Sequence, residues 1–334
     1  MEIRITVLGA GSWGTTVASL AAQNTATTLW ARRPDAAEEI RDDHVNSRYL
    51  PDYRLPETLH ATADLEEAVS TADVLVMGVP SSGFREAVAD ARPFLRPWVP
   101  VISLTKGIEQ GSRLRMTEVI SEELPGHPVG VLTGPNLAKE ILAGHAAASV
   151  IALTDLSIAT ALQDCFTTEV FRVYTNHDLV GCELGGALKN VIAIASGMAD
   201  GLGAGDNTRA AVITRGLSEL TRLGSALGGE PITFSGLAGM GDLMATCISK
   251  QSRNRHVGEE LGKGKTIEKI IEEMNQVAEG VKSCRAIQEL GREHDVEMPI
   301  TDEVVRVCYE GASAEEAYRG LLKRNLEHEM HGIH

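Results

Sequence analysis

Short apolar runs punctuate the first half of the chain. IRITVLG (3–9), ATTLWAR (26–32), ADVLVMGVP (72–80), VPVISLTKG (99–107) and VGVLTGP (129–135) are rich in Val, Ile, Leu and Thr. Each is followed by glycine, proline or a polar turn, which reads as a series of β-strands. Their apolar character is nearly continuous and does not alternate, as in parallel strands covered on both faces. SWGTTVASLAAQ (12–23) and LEEAVSTA (65–72) lie between them and suit crossover helices, giving a βαβ order. AAASVIAL (146–153) predicts a further strand.

Beyond about residue 178 the period changes. CELGGALKNVIAIASGMADGL (182–202) is small and apolar nearly all round, the pattern of a helix buried on most sides. NTRAAVITRGLSELTRLGSAL (207–227) is a second long helical pattern, and SAEEAYRGLLKR (313–324) opens on a Ser313–Glu316 capping box. The expected fold is therefore α/β: an N-terminal Rossmann-like dinucleotide-binding domain over 1–178, then an all-helical domain over 179–334.

Composition narrows the class. The 334 residues are 43% hydrophobic, enough for a sizeable core in two domains. Lys and Arg number 31 against 46 Asp and Glu, a formal charge of −15. That charge disfavours nucleic acid and anionic membrane as partners, but not a small phosphorylated ligand held by a local field. The five cysteines are scattered and show no CxxC spacing, so neither a zinc site nor a disulfide framework is indicated. With no charged-then-apolar leader and no apolar run of about 18 residues, a cytoplasmic protein is expected. The tail histidines His328, His331 and His334 read as a solvated end and not as a metal site.

The first chemical signal is GAGSWG (9–14), a G-x-G-x-x-G motif directly after the first strand and at the start of a helix. Gly9 permits the tight turn, Gly11 lets a pyrophosphate approach the backbone, and Gly14 lets helix and strand pack. The helix N-terminus offers N–H donors to phosphate. Alone the motif is weak; its βαβ context favours cofactor binding over a bare glycine turn. Ser12 and Trp13 fill the variable positions and are expected against the cofactor, with ordinary core packing as the alternative for Trp13. After the second strand an NAD enzyme carries an acid, whereas this chain has Arg32 and Arg33. Paired guanidinium donors suit a 2′-phosphate, so NADP(H) is favoured with NAD(H) admitted; two surface arginines opening a loop are the plainer alternative.

Later segments are more distinctive: SLTKGIE (103–109), GPNLAKE (134–140), LGGALKNVIAIASG (184–197), GLAGMGDLMATC (236–247), SRNRHVGEELGKG (252–264) and VAEGVKS (277–283). Together, in this order, they resemble the bacterial NAD(P)-dependent sn-glycerol-3-phosphate dehydrogenase family over nearly the whole chain. The resemblance implies interconversion of dihydroxyacetone phosphate and sn-glycerol 3-phosphate at the entry to phospholipid synthesis, and a homodimer. It implies Lys189 as the catalytic lysine, with Asp242 beside it. For an isolated lysine, snorkelling to the surface is the commoner role, but burial among small apolar neighbours would lower its pKa toward acid–base use. Asp242 could equally be a helix N-cap.

Thr246, one turn further on the same face, and Asn190, next to the lysine, are expected as substrate contacts. The resemblance makes Lys106 a contact to substrate and cofactor, where the alternative is an exposed loop lysine. Ser252, Arg253 and Asn254 offer hydroxyl, guanidinium and amide to a phosphate, against a plain Ser/Asn turn with one surface arginine. Arg253 is also assigned to the cofactor. The same resemblance implies that Gly134 leaves room for substrate, that Ala138 touches the cofactor, and that Glu279 and Val277 form a further cofactor contact. Many members have serine at Asn136, where the bulkier asparagine still offers donor and acceptor to substrate. Cys247 reads as core. A 3-hydroxyacid dehydrogenase and a non-catalytic NADP(H) sensor are the competing readings.

Overall fold

The computed structural model describes residues 3–274 and 278–322. Eight strands form one sheet: β1 (Arg4–Leu8), β2 (Ala26–Trp30), β3 (Leu59–Thr62), β4 (Val74–Met77), β5 (Val101–Ser103), β6 (Val129–Thr133), β7 (Ala147–Leu153) and β8 (Phe171–Asn176). Seven helices are threaded among them: α1 (Ser12–Ala21), α2 (Pro34–Glu38), α3 (Leu65–Ser70), α4 (Phe84–Ala91), α5 (Met116–Glu123), α6 (Ala138–Leu142) and α7 (Leu156–Phe166). The remainder is helical: α8 (Leu179–Gly201), α9 (Asp206–Ala226), α10 (Pro231–Phe234), α11 (Asp242–Ile248), α12 (Arg253–Gly262), α13 (Ile267–Glu273), α14 (Glu279–Glu293), α15 (Pro299–Tyr309) and α16 (Ala314–Leu322).

The strand order is β3-β2-β1-β4-β5-β6-β7-β8. β1 to β6 are mutually parallel, β7 runs antiparallel to β6, and β8 is parallel to β7. The order reverses at β1, with β2 on one side and β4 on the other, which is the switch point where dinucleotide folds bind their ligand. Because β1 to β6 are parallel, their carboxyl ends share one edge of the sheet. The turns carrying Gly9–Gly14, Arg32–Arg33 and Gly134–Asn136 all leave from that edge.

Two strands, β3 and β8, are additions to the sequence expectation. Both are edge strands. In β8 Phe171 and Val173 are buried while Arg172 and Tyr174 are exposed, a period-two pattern that the search for continuously apolar runs passes over. β3 is only four residues long and contains His60.

The chain separates into two compact units. One comprises the described residues of Met1–Thr105 and Arg115–Leu179; the other, those of Lys106–Leu114 and Val180–His334. This corrects the simple two-segment division at 178/179, because β5 ends at Ser103 and the segment from Lys106 to Leu114 belongs with the helices. Ile108, 2% exposed, is the anchor: it sits in the helical core with Leu184, Val191, Leu243 and Ile287.

α8 is buried continuously from Gly181 to Ala199. It is the one described helix long and apolar enough to cross a membrane, but 89% of its most apolar stretch lies inside the protein. Against α12 it packs backbone to backbone: a side-chain carbon added at Gly258 would fall on the Ile194 carbonyl oxygen. That approach brings the polar residues of α8 and the first turn of α12 into reach of one another. At the far end of the unit, Glu219 of α9 accepts hydrogen bonds from the main-chain N–H groups of Ile300 and Thr301, capping α15 from outside.

Candidate active site

The fingerprint turn is built by the backbone. Gly9 has φ +115°, and a side-chain carbon there would lie 2.7 Å from the Gly78 carbonyl oxygen after β4. One on Gly14 would strike the Gly9 carbonyl oxygen, so helix α1 can sit on β1 only with glycine at that position. Gly11 differs: nothing lies within 4 Å of the place its side chain would take. Gly11 is also the N-cap of α1, with no side-chain cap and no acid in the first turn. Open space over N–H groups uncapped by a side chain fits a dinucleotide pyrophosphate.

Asn46, a residue the sequence argument did not single out, holds this turn. It is 3% exposed, and its Nδ2 donates to the Ala10 carbonyl (3.0 Å) and to Thr15 Oγ1 (2.9 Å). A lone asparagine in a loop 30 residues away carries no spacing signal.

Ser12 opens α1 and its carbonyl accepts from Thr16 Oγ1. Trp13 packs edge-on to Phe171 at 6.3 Å, and its indole Nε1 is buried without a partner. Past β2, Arg33 pairs with Asp35 at 3.1 Å, both well exposed, while Arg32 is exposed. Such a surface pair contributes about 0–1 kcal/mol.

At the end of β6, Gly134 has φ +140°, and a side-chain carbon there would lie 3.1 Å from the Ser149 Cα. Ser149 Oγ donates its one proton to the Thr133 carbonyl (2.7 Å), so it must accept from Asn136 Nδ2 (3.1 Å). The amide is thereby oriented, and Asn136 Oδ1 is left buried with no partner. Asn136 thus presents an acceptor, suited to an O–H or N–H donor and not to a phosphate oxygen. Ala138 opens α6.

The helical unit holds a charged cluster. Lys189 of α8 is 5% exposed and Asp242, the first residue of α11, is 1% exposed. Lys189 Nζ donates to Asp242 Oδ1 and, at 2.5 Å, to Thr246 Oγ1. Thr246 Oγ1 in turn donates to the Asp242 carbonyl at 2.7 Å. The other carboxylate oxygen, Oδ2, accepts from Lys106 Nζ at 2.7 Å. Asp242 therefore serves two ammonium groups and is not a helix cap; the N-cap of α11 is Gly241.

Two ammonium groups thus share the Asp242 carboxylate. Burial pushes the Lys189 pKa down to about 8; Asp242 opposes the shift and Lys106 adds to it. Cys247 is fully buried nearby, and burial raises its thiol pKa to about 12, which leaves it inert as a nucleophile.

Asn190 and Asn254 are buried beside this cluster and bonded to each other at 3.0 Å. Ser252 is the N-cap of α12, accepting from the Arg255 N–H at 3.2 Å, and Arg253 is exposed in the first turn. Arg255, the other arginine of SRNRH, is committed to Asp200 at 2.7 Å and to Glu259. Glu279 is the half-buried first residue of α14. Val277 and the three tail histidines lie outside the described residues. Among the described residues no group of three or more His, Cys, Asp or Glu is arranged to hold a metal.

The chain is similar to known proteins in sequence and in fold. Residues 4–159 match the N-terminal model, and 178–319 the C-terminal model, of NAD-dependent glycerol-3-phosphate dehydrogenase. Glycerol-3-phosphate dehydrogenase [NAD(P)+] 2 of Sphingopyxis alaskensis is 58% identical over 99% of both chains. The glycerol-3-phosphate dehydrogenase [NAD(P)+] of Mycobacterium avium is 55% identical over 99% of this chain and 97% of its own. The crystal structure of the Coxiella burnetii glycerol-3-phosphate dehydrogenase superposes with a TM-score of 0.92 at 40% identity, covering 97% of this chain and 99% of that one. The chain belongs to the NAD-dependent glycerol-3-phosphate dehydrogenase family.

Proposed function

We propose that Lys189 is the general acid–base of an NAD(P)-dependent interconversion of dihydroxyacetone phosphate and sn-glycerol 3-phosphate. The observation that carries this reading is a buried lysine whose ammonium is held by Asp242 and Thr246, with its pKa brought down to about 8. When bound, the nicotinamide cofactor supplies the hydride to the substrate carbonyl carbon. Lys189 donates its proton to the developing alkoxide, and in the reverse direction takes the proton from the C2 hydroxyl. Asp242 orients both ammonium groups. The Lys106 ammonium, held on the same carboxylate, stabilises negative charge growing on the substrate oxygen.

The first turn of α12 holds the phosphate: Ser252 fixes the turn, Arg253 supplies a guanidinium, and Asn254 adds polar contact. Asn136 accepts from a donor on the substrate, and Gly134 leaves space beside it. Residues 1–178 bind the cofactor through Gly9, Gly11, Ser12, Trp13, Gly14 and Ala138, and residues 179–334 bind the substrate, with Lys106 added to them. Lys106, Arg253, Val277 and Glu279 complete the cofactor contacts. Arg32 and Arg33 favour NADPH over NADH. The enzyme runs in the reducing direction as a cytoplasmic homodimer that feeds glycerophospholipid synthesis. Matches to both halves of the family set aside the carboxylate-substrate alternative.

A spectrophotometric assay with dihydroxyacetone phosphate, following NADPH and NADH in parallel, tests this. Turnover that vanishes in Lys189→Ala is expected, with NADPH the faster cofactor. Tight NADPH binding without turnover overturns the assignment.

A further inference from the structure

A line of hydrogen bonds runs beside the charged cluster and ends on it. The main-chain N–H of Gly280, in the first turn of α14, donates to Asn254 Oδ1 at 3.0 Å. Asn254 Nδ2 donates to Asn190 Oδ1 at 3.0 Å, and Asn190 Nδ2 donates to the main-chain carbonyl of Lys106 at 3.2 Å.

The direction of the line is fixed from both ends. A backbone N–H can only donate, so Asn254 must turn its oxygen to Gly280. A backbone carbonyl can only accept, so Asn190 must turn its nitrogen to Lys106. The two requirements agree in the middle, and neither amide can be flipped without setting like against like. Asn190 is 4% exposed and Asn254 8%, so each amide is removed from water and would be costly without these partners. The line also needs a glycine at its end: a side-chain carbon on Gly280 would lie 2.7 Å from the Asn190 carbonyl oxygen and 2.9 Å from Asn254 Oδ1.

We propose that Asn190 and Asn254 are positioning residues which pin the backbone of Lys106 to the first turn of α14, and so set the place of the Lys106 ammonium on Asp242. Lys106 lies in irregular chain between β5 and α5, and no helix or strand of its own holds it. The pinned carbonyl gives this residue a defined position, and the ammonium reaches Asp242 Oδ2 from there. Because the line starts in the first turn of α14, the helix that Glu279 opens is tied to the same lysine. The inference rests on the Lys106–Asp242–Lys189 cluster being the reacting one.

A double-mutant cycle of Asn190→Ala, Asn254→Ala and the pair tests it. The readouts are kcat, both KM values and the pH profile of dihydroxyacetone phosphate reduction, with Tm alongside. Each single variant is expected to lower kcat about tenfold, since misplaced groups lose rate steeply. The pair is expected to be no worse than the poorer single variant, because one broken link already loosens Lys106.

The alkaline limb of the profile is expected to move to higher pH. Lys189 faces Asp242, Lys106 and Cys247; the Lys106 charge helps burial hold its pKa down, and a looser Lys106 relaxes that restraint. Gly280→Ala alters no polar side chain and is expected to reproduce both effects. Losses that add in the pair with an unmoved limb overturn the proposal and make the two amides act independently of one another and of Lys106. Losses that simply follow Tm across the set overturn it too. A wild-type enzyme that does not turn over dihydroxyacetone phosphate instead overturns the assignment of the reacting cluster itself.

Discussion

The fingerprint turn and the lysine cluster are built in opposite ways. The turn is local: one run of six residues, Gly9 to Gly14, supplies it, and what it offers is main-chain N–H and empty space. The cluster is assembled from three separate stretches, with Lys106 from a loop, Lys189 from α8, and Asp242 and Thr246 from α11. It works through side-chain charge in a place nearly closed to water. A site made of backbone tolerates no added atom, whereas a site made of buried charge tolerates no change of charge balance. Substitutions in the two places should therefore fail in different ways.

The largest effect is expected at Lys189. Lys189→Ala removes the proposed proton donor and should lower kcat by roughly 10²- to 10⁴-fold, with NADPH affinity kept; steady-state rates and fluorescence titration measure the two. Asp242→Ala breaks the balance from the other side. It leaves a buried ammonium without its carboxylate and is expected to cost about 3–5 kcal/mol of stability at neutral pH, read by chemical denaturation.

The pH dependence is a direct signature of the cluster. In the role proposed for it, Lys189 is protonated for reduction, which should fall as pH rises through about 8, and neutral for oxidation, which should rise over the same range. Because Asp242 raises the Lys189 pKa, Asp242→Ala should move both limbs to lower pH.

At the fingerprint, Gly14→Ala drives a methyl group into the Gly9 carbonyl. The expected result is about 1–3 kcal/mol of lost stability and weakened NADPH binding, with no change in the pH limbs of the activity that remains. The smallest effect is expected at Arg32. Arg32→Ala should raise KM for NADPH about tenfold, the worth of one charge-assisted hydrogen bond, and leave KM for NADH unchanged. Equal changes for both cofactors would remove the arginine from 2′-phosphate recognition.

The same contrast explains what could be read from the chain. The fingerprint and the six strands of continuous or nearly continuous apolar sequence were legible because their signal is a local period. β8 was missed because its faces alternate at a sheet edge, and β3 because four residues with a histidine make too short a run. Lys189 and Asp242 were named through family resemblance, since 53 residues separate them and no spacing rule joins them.

Asn46 went unnoticed for the same reason. Its two bonds to the fingerprint turn exist only once β1 and the loop after α2 are folded together. The amide line from Gly280 to Lys106 is likewise invisible in sequence, where two asparagines and a glycine look like turn residues. The three-dimensional structure also adds Lys106–Leu114 to the helical unit, because an excursion of nine residues leaves no change of composition behind.

That excursion limits how the molecule can be taken apart. A fragment starting at residue 180 would contain every helix of the second unit, yet it would lack Ile108 from its core and Lys106 from Asp242. It would expose an apolar socket where Ile108 sits and leave one cation against the carboxylate where the intact chain places two. The helical half is therefore not a portable cassette. Splicing it onto another nucleotide-binding module would require grafting residues 106–114 with it, at two extra junctions, and evolution by exchange of whole halves meets the same obstacle.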